Sequence, residues 1–249
     1  MLKILINGCN GKMGQEVAKR IKETEGVETL CGVDRMDTGD NNFPVFQSVE
    51  DINLIPDCII DFSVPKATLN ILEFAKKNKV PVVIATTGFS EEENEIIKEA
   101  SKEIPVFKSA NMSYEINLMA KLVASISKNL KDSDIEIVET HHNRKIDSPS
   151  GTALILADAI NEALDGTMNY EYDRHSKREK RSKNEIGIHS IRGGTEVGKH
   201  SVIFFGQNES FEITHNVTSR SVFADGSIKA ANFLVNKDSG FYNMNDLFI

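Results

Sequence analysis

The sequence has no long apolar run. No segment approaches the ~20 consecutive apolar residues that a helix needs to cross a lipid bilayer. The amino-terminal stretch MLKILINGCNGKMG reaches a glycine turn after too few apolar residues for the core of a secretory signal. We therefore expect a cytoplasmic protein without a membrane segment.

Cysteine is scarce, and basic residues are outnumbered by acidic ones. The three cysteines, Cys9, Cys31 and Cys58, have no metal-ligand spacing and an odd number, which predicts small buried side chains in a reducing compartment. The formal net charge of -8 argues against a nucleic-acid or membrane-surface partner, because such polyanions bind basic faces. The 40% hydrophobic content is enough for a sizeable core, and small ligands remain as candidates.

Strands and helices alternate through the first part of the chain. LKILING is predicted to be a strand that ends in a glycine turn, and QEVAKRIKET carries apolar residues at helical spacing. The predicted strands that follow are ETLCGVD, PDCIIDFSVP, VPVVIATTGF and IPVFKSANMS, and the predicted helices among them are KATLNILEFAKKNK and SEEENEIIKEASKE. This order predicts an α/β fold with a Rossmann-like, doubly wound parallel sheet.

The pattern changes after Met112. YEINLMAKLVASISKNL and TALILADAINEAL are predicted helices, and the apolar residues of SDIEIVETHH alternate with polar ones as in a half-exposed strand. IGIHSIRGG, HSVIFFGQ and SFEITHNV predict a mostly antiparallel sheet, and GSIKAANFLVNK is a final helix. Because inserted domains enter and leave at neighbouring points, we expect residues 1–112 and 221–249 to form a dinucleotide-binding domain. Residues 113–220 would be an inserted α+β domain for substrate binding and oligomerisation.

The predicted strand that contains VIFF has apolar residues pointing to both faces of its sheet. A sheet with two apolar faces needs a cover on each, and the equivalent sheet of a second subunit is the simplest cover. Closed symmetry then favours a dimer or a tetramer.

The segment GCNGKMG, from Gly8 to Gly14, lies between a predicted strand and a predicted helix. Glycines there let the backbone approach a pyrophosphate, whose charge faces the positive end of the helix dipole. The alternative is a tight strand-to-helix turn without a ligand. The predicted cofactor contacts from this turn are Gly8, Cys9, Asn10, Gly11, Lys12 and Met13.

Asp34 ends the second predicted strand and is followed by Arg35. The carboxylate would accept hydrogen bonds from the adenosine ribose, which favours NAD because a 2'-phosphate would be repelled. Arg35 and Lys12 favour NADP, since both cations can reach a 2'-phosphate. The prediction is therefore NADH or NADPH, and the alternative is that each of these residues is an ordinary surface charge.

The segment ETHHNRKIDSPSGTA concentrates proton donors before a turn that suits anions. Histidine suits proton transfer near neutral pH, and Lys145 would supply either a proton or a positive partner for a carboxylate. Because neighbouring residues of a strand point to opposite faces, His141 and His142 are not expected to share one role: one would face the ligand directly and the other would approach from the loop. The helix start at Ser150, Gly151 and Thr152 offers amides and hydroxyls to a carboxylate.

Two other interpretations of this segment stay open. Ser150 or Thr152 would only cap the helix, with the histidines as satisfied surface groups. Alternatively, a metal would bind Glu139, His141, His142 and Asp147. The metal interpretation is less favoured, because adjacent histidines are poorly placed for one ion and a neighbouring lysine would repel it. We predict no metal.

The order of seven motifs resembles the dihydrodipicolinate reductase family of bacterial lysine and diaminopimelate biosynthesis. The similarity spans nearly the whole chain through GCNGKMG, DFSVP, ATTGF, SANMS, ETHHNRKIDSPSGTA, IRGGTEVGKH and ITHNVTSR. The resemblance implies NAD(P)H-dependent reduction of 4-hydroxy-tetrahydrodipicolinate, a cyclic dicarboxylate, to tetrahydrodipicolinate. It also implies a homotetramer built through the sheets of the second domain.

The resemblance also assigns residues. His141 and Lys145 match the family's proton donors, and His142, Gly151 and Thr152 match substrate-binding positions. The turns ATTGF and SANM match segments that hold the nicotinamide half of the cofactor, which adds Ala85, Thr86, Thr87, Ser109, Ala110, Asn111 and Met112. The chain departs from the family pattern at Ala85 and Glu115, where glycine is usual, and at Asn143 and Arg144.

The run DRHSKREKRSK, Asp173 to Lys183, is the one basic stretch. We interpret it as a solvated mobile loop because crowded like charges resist packing, with steering of anionic ligands as the alternative. Two rival functions also remain. An aspartate-semialdehyde-type dehydrogenase would need a nucleophilic cysteine in the second domain, and the last cysteine is Cys58. A dinucleotide-sensing module would need no His-Lys cluster.

Overall fold

The computed structural model describes residues 1–248, which form two compact units. The first unit comprises residues 1–114 together with the chain from Arg220 onward, and the second comprises Glu115–Ser219. In chain order the strands are β1 (Leu2–Asn7), β2 (Val27–Val33), β3 (Val45–Phe46), β4 (Cys58–Asp61), β5 (Val82–Ile84), β6 (Pro105–Lys108), β7 (Asp134–His141), β8 (Asn169–Glu171), β9 (Glu185–Arg192), β10 (Gly198–Phe205), β11 (Ser210–Val217) and β12 (Gly240–Tyr242).

Six helices lie between these strands in the described part of the chain. They are α1 (Lys12–Glu23), α2 (Pro65–Asn78), α3 (Glu91–Ala100), α4 (Tyr114–Asn129), α5 (Gly151–Ala163) and α6 (Ser221–Leu234). None of the helices within residues 1–248 is both long enough and apolar enough to cross a membrane.

The first unit contains a seven-stranded sheet in the order β12-β6-β5-β4-β1-β2-β3. Every neighbouring pair in it is parallel. Parallel neighbours require long crossover connections, and α1, α2 and α3 provide three of them. The order reverses direction at β1, as in doubly wound sheets, and this confirms the predicted Rossmann-like fold.

Apolar residues fill both faces of this sheet. Ile4 and Ile6 pack on the side of α1 and α6, whereas Leu5 packs on the side of α2 and α3. All three side chains are fully buried, because each face of a parallel sheet is covered by helices. β1 is therefore packed on both faces, and this fixes the position of the glycine turn at its carboxyl end.

The second unit contains a five-stranded sheet in the order β11-β10-β7-β9-β8. β10 is antiparallel to β7 and β11, but β9 is parallel to β7 and β8. The sheet is therefore mixed, whereas the sequence predicted a mostly antiparallel one. The reason is that α5 acts as a crossover between β7 and β8, and a crossover returns the chain in the same direction.

One face of the mixed sheet is covered by α4 and α5, which bury Val202 and Phe204 of β10. Ile203 and Phe205 alternate with them and therefore point to the opposite face. Phe205 is 43% exposed in the single chain. The prediction that VIFF has apolar residues on both faces is confirmed.

The basic stretch lies in the connection between β8 and β9, and Arg181 fastens that connection to β7. The Arg181 guanidinium donates to Glu136 Oε1 at 3.1 Å, to Asp134 Oδ1 at 3.0 Å and to the carbonyl of Ile135 at 2.8 Å. Two further cations of the stretch form ion pairs, Arg174 with Glu185 and Lys177 with Glu171. The stretch is a loop and most of its residues are exposed, as a solvated loop should be, but these three cations are paired with carboxylates on β7, β8 and β9.

Replacement of Arg181 by alanine should destabilise the second unit. Glu136 is largely buried and would lose its arginine, and the β7 carbonyl would lose a donor. We expect Arg181→Ala to lower the free energy of unfolding by about 2–3 kcal/mol in urea titrations. Arg178→Ala, at an exposed position of the same stretch, should change it by less than about 0.5 kcal/mol. Equal unfolding midpoints in the two variants would show that Arg181 does not anchor the loop.

Candidate active site

The turn after β1 can be built only with glycine at two positions. Gly8 has a φ of +80°, and a Cβ atom there would lie 2.7 Å from the carbonyl oxygen of Phe62. A Cβ atom at Gly14 would lie 2.1 Å from the carbonyl oxygen of Gly8. The turn closes with a hydrogen bond from Gly11 N to Gly8 O at 3.1 Å. Side chains are thus excluded where the backbone meets the start of α1, as a dinucleotide requires.

A cleft of about 860 Å³ opens beside this turn, a usual size for a small-molecule site. It is lined by five of the predicted cofactor residues, Gly8, Asn10, Gly11, Asp34 and Arg35. It is also lined by residues to which the sequence assigned no role: Asn7, Val33, Gln47, Ser48, Val49, Phe62, Ser63, Val64, Lys66, Ala67 and Asn70. They come from the ends of β1 and β2, the loop after β3, the connection from β4 to α2, and the start of α2, which the glycine motif does not reveal.

Three residues of the predicted turn do not line the cleft. Cys9 is fully buried, and burial, followed by the charge of Asp34, raises the pKa of its thiol to about 12. Met13 packs against the core of the first unit, and Lys12 is exposed at the first position of α1. The Cys9 thiol is therefore kept protonated inside the core, where Sγ lies 3.8 Å from Asn10 Oδ1.

Asp34 ties the glycine turn to the end of β2. Its Oδ2 accepts from Asn10 N and its Oδ1 from Arg35 N, both at 2.8 Å. The Asn10 side chain in turn donates to the carbonyl of Met36 at 2.5 Å and accepts from Asn41 Nδ2 at 2.8 Å. The carboxylate is thus held at the cleft wall. This cleft and the glycine cradle fit the adenosine and pyrophosphate parts of a dinucleotide.

A second, smaller cleft of about 370 Å³ joins the turns after β5 and β6. It is lined by four predicted residues, Thr86, Thr87, Ser109 and Ala110. Gly88 and Phe89, the last two residues of the ATTGF turn, also line it, together with Asn94, Lys108 and Phe241, which the sequence did not indicate. Lys108 Nζ lies 4.9 Å from the centre of the Phe89 ring, and burial lowers the pKa of its ammonium.

Other predicted residues of these two turns act behind the cleft wall. Ala85 N donates to the Asp61 carbonyl at 2.9 Å, and the Asn111 side chain accepts from Ser113 N at 2.9 Å. Met112 is buried against α6, where a Cβ atom at Gly226 would lie 1.7 Å from the Met112 carbonyl oxygen. These contacts fix the shape of the turns. The family departure at Glu115 lies in the first turn of α4, in the second unit.

Asp61, the first residue of DFSVP, is a buried carboxylate near both clefts for which the sequence predicted no role. The carboxylate is fully buried and accepts from Asn7 Nδ2 at 2.8 Å, from Ser63 Oγ at 2.5 Å and from Thr68 Oγ1 at 2.6 Å. Burial raises the pKa of this carboxyl against the effect of the hydrogen bonds. Because Ser63 N also donates to Thr86 Oγ1 at 2.9 Å, these hydrogen bonds connect the ends of β1, β4 and β5.

In the second unit, Glu139 and His141 lie two residues apart on β7 and share its inner face. His141 Nδ1 lies 2.6 Å from Glu139 Oε2. Arg192, at the end of β9, donates two hydrogen bonds to the same carboxylate, from Nη2 to Oε1 at 2.7 Å and from Nη1 to Oε2 at 2.8 Å. The amide of Ser150, which begins α5, donates to Oε1 at 3.1 Å. The Glu139 side chain is fully buried, and these donors surround it.

The electrostatics of Glu139 follow from these contacts. Burial pushes the pKa of the carboxyl upward, but hydrogen bonds from Arg192, His141 and Ser190 outweigh it and hold the pKa at about 2. Glu139 is therefore an anion throughout the neutral range. The sequence placed Glu139 only in a possible metal set and did not single out Arg192.

His200 of β10 completes the cluster, although no role was predicted for it. It faces Glu139 across the antiparallel pair of β7 and β10, and its ring centre lies 5.1 Å from that of His141. His200 Nε2 lies 2.9 Å from Ser150 Oγ, which also caps α5 by accepting from Ala153 N at 3.2 Å. Burial, and then the neighbouring His141, lowers the pKa of His200 to about 4.

The predicted residues beyond His141 lie in the loop that leads to α5. Lys145 Nζ contacts Asp147 Oδ1 at 2.8 Å and holds the pKa of that carboxyl below its usual value. Arg192 Nη2 donates to the Asp147 carbonyl at 2.7 Å, so the loop is anchored to the Glu139 cluster. His142 N donates to the Glu196 carbonyl at 2.7 Å. The first helical turn begins with Gly151, which is exposed, and Thr152, which is partly buried.

This arrangement leaves the supposed metal ligands engaged elsewhere. Glu139 is bound by Arg192 and His141, and Asp147 is paired with Lys145. Within residues 1–248, no three His, Cys, Asp or Glu side chains converge as a ligand set. The cluster instead combines a held histidine, a lysine and a helix amino terminus, which suits proton transfer to an anion.

Comparison with known proteins adds independent findings. The family model for the amino-terminal part of dihydrodipicolinate reductase matches residues 2–112, and the model for its carboxyl-terminal part matches residues 115–248. The chain is 52% identical over 247 residues to 4-hydroxy-tetrahydrodipicolinate reductase of Caldanaerobacter subterraneus subsp. tengcongensis, covering 99% of this chain and 98% of that protein. It is 49% identical over 245 residues to the protein of the same name from Clostridium tetani, covering 98% and 96%.

Among solved structures, the chain is similar to dipicolinate-bound dihydrodipicolinate reductase from Paenisporosarcina sp. TG-14. The TM-score is 0.81 at 26% identity, and the match covers 98% of this chain and 99% of that chain. The likeness therefore extends through both units.

Acidification should destabilise the second unit through His200. The folded-state pKa of about 4 lies below the ordinary value of 6.5, so stability is present above pH 6.5 and is lost as the pH falls toward 4. Between pH 7 and about 4.5 we expect the free energy of unfolding to fall by on the order of 2–3 kcal/mol more in the wild type than in His200→Gln. Urea titrations across this range measure the difference, with exposed His175→Gln as control. Parallel pH curves for wild type and His200→Gln would contradict it.

Proposed function

The chain belongs to the dihydrodipicolinate reductase family, and we propose from this premise that it reduces 4-hydroxy-tetrahydrodipicolinate to tetrahydrodipicolinate with NADH or NADPH, in lysine and diaminopimelate biosynthesis. The net reaction adds a hydride and a proton to the substrate and releases its hydroxyl group as water. The observation that carries the proposal is the histidine held by a buried anion beside a helix amino terminus. A reaction that protonates a dianion needs both features together.

The two parts of the chain would bind different ligands. We assign dinucleotide binding to residues 1–112 and 221–249, and substrate binding to residues 113–220. Support for this division comes from the two clefts at the carboxyl ends of the parallel strands, where open α/β sheets bind their ligands. The histidine cluster supports the assignment of substrate to the inserted part.

The cofactor would be held by backbone and by a few polar side chains. The amides of Gly8, Asn10 and Gly11 are engaged within the turn, so the first amides of α1, at Lys12 and Met13, would face the pyrophosphate. The Asp34 carboxylate would accept from the ribose hydroxyls, and Arg35 would serve a 2'-phosphate, so both dinucleotides can be used. Thr86, Thr87, Ser109 and Ala110 would enclose the nicotinamide half, with Ala85, Asn111 and Met112 behind them. When bound, the nicotinamide supplies the hydride.

The substrate would be held and protonated by the segment between β7 and α5. His141 and Lys145 donate protons, and Lys145 also attracts a carboxylate. His142, Gly151 and Thr152 hold the carboxylates at the start of α5, where the helix dipole favours an anion. The hydroxyl of Ser150 is already engaged with Ala153 N and His200, so Ser150 contributes by fixing the helix start. The dipicolinate bound in the Paenisporosarcina relative is itself a dicarboxylate, which supports this ligand class.

Turnover tests the proposal directly. The substrate is made from pyruvate and aspartate semialdehyde by condensation, and loss of reduced nicotinamide absorbance reports the reaction. We expect His141→Ala and Lys145→Ala to lower kcat by about 10²-fold or more, the usual effect of removing a general acid. Lys145→Ala should also raise KM, because a carboxylate loses its cation. His175→Ala, in an exposed loop, is the control. Near-normal turnover in both variants would refute the assignment.

We further propose a cytoplasmic homotetramer. The face of the mixed sheet that α4 and α5 leave uncovered carries Ile203, Phe205 and Ile191, and the last two are 43% and 50% exposed. On this face Ile203 stands beside Glu136 of β7 and Glu212 of β11, so the apolar side chains are interspersed with polar ones. A mixed surface of this kind is typical of subunit interfaces, and a two-fold contact would set the same residues of two copies against each other.

Light scattering at micromolar concentration checks the assembly. We expect a mass close to that of four 27.7 kDa chains. Phe205→Glu would bury a charge in the contact and should lower the mass, because an unpaired buried carboxylate is strongly unfavourable. Ile55→Glu, at a 58% exposed position of the first unit, should leave the mass unchanged. A wild-type mass of one chain would refute the interface, and a mass of two chains would remove the tetramer alone.

A further inference from the structure

We propose that Glu139 and Arg192 are positioning residues that fix the tautomer of His141, with the hydrogen on Nδ1 and with Nε2 as the nitrogen that exchanges a proton with substrate. The inference rests on the proposed function, because it explains how the proposed acid is prepared. Neither residue is expected to touch the substrate.

The direction of the His141–Glu139 hydrogen bond follows from the charge of the carboxylate. An ionised carboxylate only accepts, so at 2.6 Å the Nδ1 atom of His141 must be the donor. In the neutral ring the other nitrogen, Nε2, then carries the lone pair, and His141 donates to substrate after Nε2 has taken up a proton from solvent. Within residues 1–248, Nε2 makes no hydrogen bond, and the His141 side chain is 10% exposed. Nε2 is therefore the nitrogen left for a substrate.

The surroundings leave room beside Nε2. A Cβ atom at Gly198 would lie 3.0 Å from Nε2, closer than ordinary contacts allow. Gly198 thus keeps a side chain of β10 away from the reacting nitrogen. A side chain at this position would require the His141 ring to shift by a few tenths of an ångström.

Arg192 has the task of keeping Glu139 ionised. A fully buried carboxylate without a cation would take up a proton, and a protonated carboxyl can donate as well as accept. The two bonds from Arg192, at 2.7 and 2.8 Å, prevent this and leave Oε2 as an acceptor for His141. Since Ser150 N donates to Oε1 of the same carboxylate, Glu139 also aligns the ring with the start of α5.

Other charged groups around the ring come from each neighbouring segment. His200 faces it from β10 and Arg192 from β9, while Lys145 and Asp147 lie in the loop toward α5. The pH dependence of turnover is therefore a property of this group of residues. A change at Glu139 should shift the whole profile.

The opposite face of β7 provides a matched control. Glu136 binds the arginine Arg181 at 3.1 Å and the histidine His189 at 2.8 Å, so it forms the same kind of Arg-Glu-His cluster. Glu136 points away from α5 and from the proposed substrate residues. Glu136→Gln and Glu139→Gln thus remove the same charge from the same strand, and only the second acts on His141.

The experiment compares these two variants in steady-state turnover across pH. We expect Glu139→Gln to lower kcat by at least about 10-fold, with a smaller change in KM and a displaced pH profile, as when a histidine loses the carboxylate that sets its tautomer. Glu136→Gln should keep kcat within about twofold of wild type, with its mass checked by light scattering because it lies on the proposed subunit face. Wild-type kcat and pH profile in Glu139→Gln would overturn the inference.

A second measurement does not depend on the folding of Glu139→Gln or on enzyme activity. Nitrogen-15 NMR of histidine-labelled wild-type enzyme, with the His141 signal identified by its loss in His141→Ala, reports which ring nitrogen carries the hydrogen. We expect hydrogen on Nδ1 and none on Nε2 in the neutral ring. Hydrogen on Nε2 would overturn the inference. If wild type fails to turn over the substrate but shows the expected tautomer, the proposed function fails and the positioning pair stands.

Discussion

A carboxylate removed completely from water must find a donor for each of its oxygen atoms, and the second unit is organised around that requirement at Glu139. Arg192 comes from β9, His141 from β7 and the Ser150 amide from the start of α5. Breaking any one of these contacts would leave a buried charge poorly compensated, which is strongly unfavourable. The position of the histidine and the position of the helix amino terminus are therefore not independent. Both follow from one buried anion.

In the first unit, the buried carboxyl of Asp61 is compensated by a different set of donors. Asp61 is also fully buried, but its donors are the neutral groups of Asn7, Ser63 and Thr68. Without a cation, burial dominates and the pKa rises, whereas the Arg192 guanidinium makes the pKa of Glu139 fall. The two carboxyls have different chemical consequences for that reason. Asp61 holds strand ends together, and Glu139 supplies a permanent negative charge next to a histidine.

Local patterns in the sequence predicted most of the first unit. Apolar runs bounded by glycine turns predicted the parallel strands. The spacing of Gly8, Gly11 and Gly14, together with Asp34, predicted the position of the main cleft. DFSVP was part of the family resemblance, but no role was predicted for the lining from Ser63 to Asn70, because its side chains do not distinguish a cofactor wall from an ordinary helix start. In the second unit, helix and strand types were predicted, but the pairing of β9 with β7 was not. Pairing partners depend on how the α5 crossover runs, and hydrophobic periodicity contains no information on that.

The residues that the sequence missed at the histidine cluster share one property. Arg192 is 53 positions from Glu139 and His200 is 50 positions from Ser150, so no local motif contains either pair. Strand register brings them together: Arg192 stands beside His141 across the parallel pair of β7 and β9, and His200 stands beside Glu139 across the antiparallel pair of β7 and β10. A one-residue slip of either strand would turn its side chain to the opposite face of the sheet. The buried charge resists such a slip, because a slipped Arg192 would leave Glu139 without its cation. The cluster that prepares the histidine thus also helps to specify the mixed sheet that contains it.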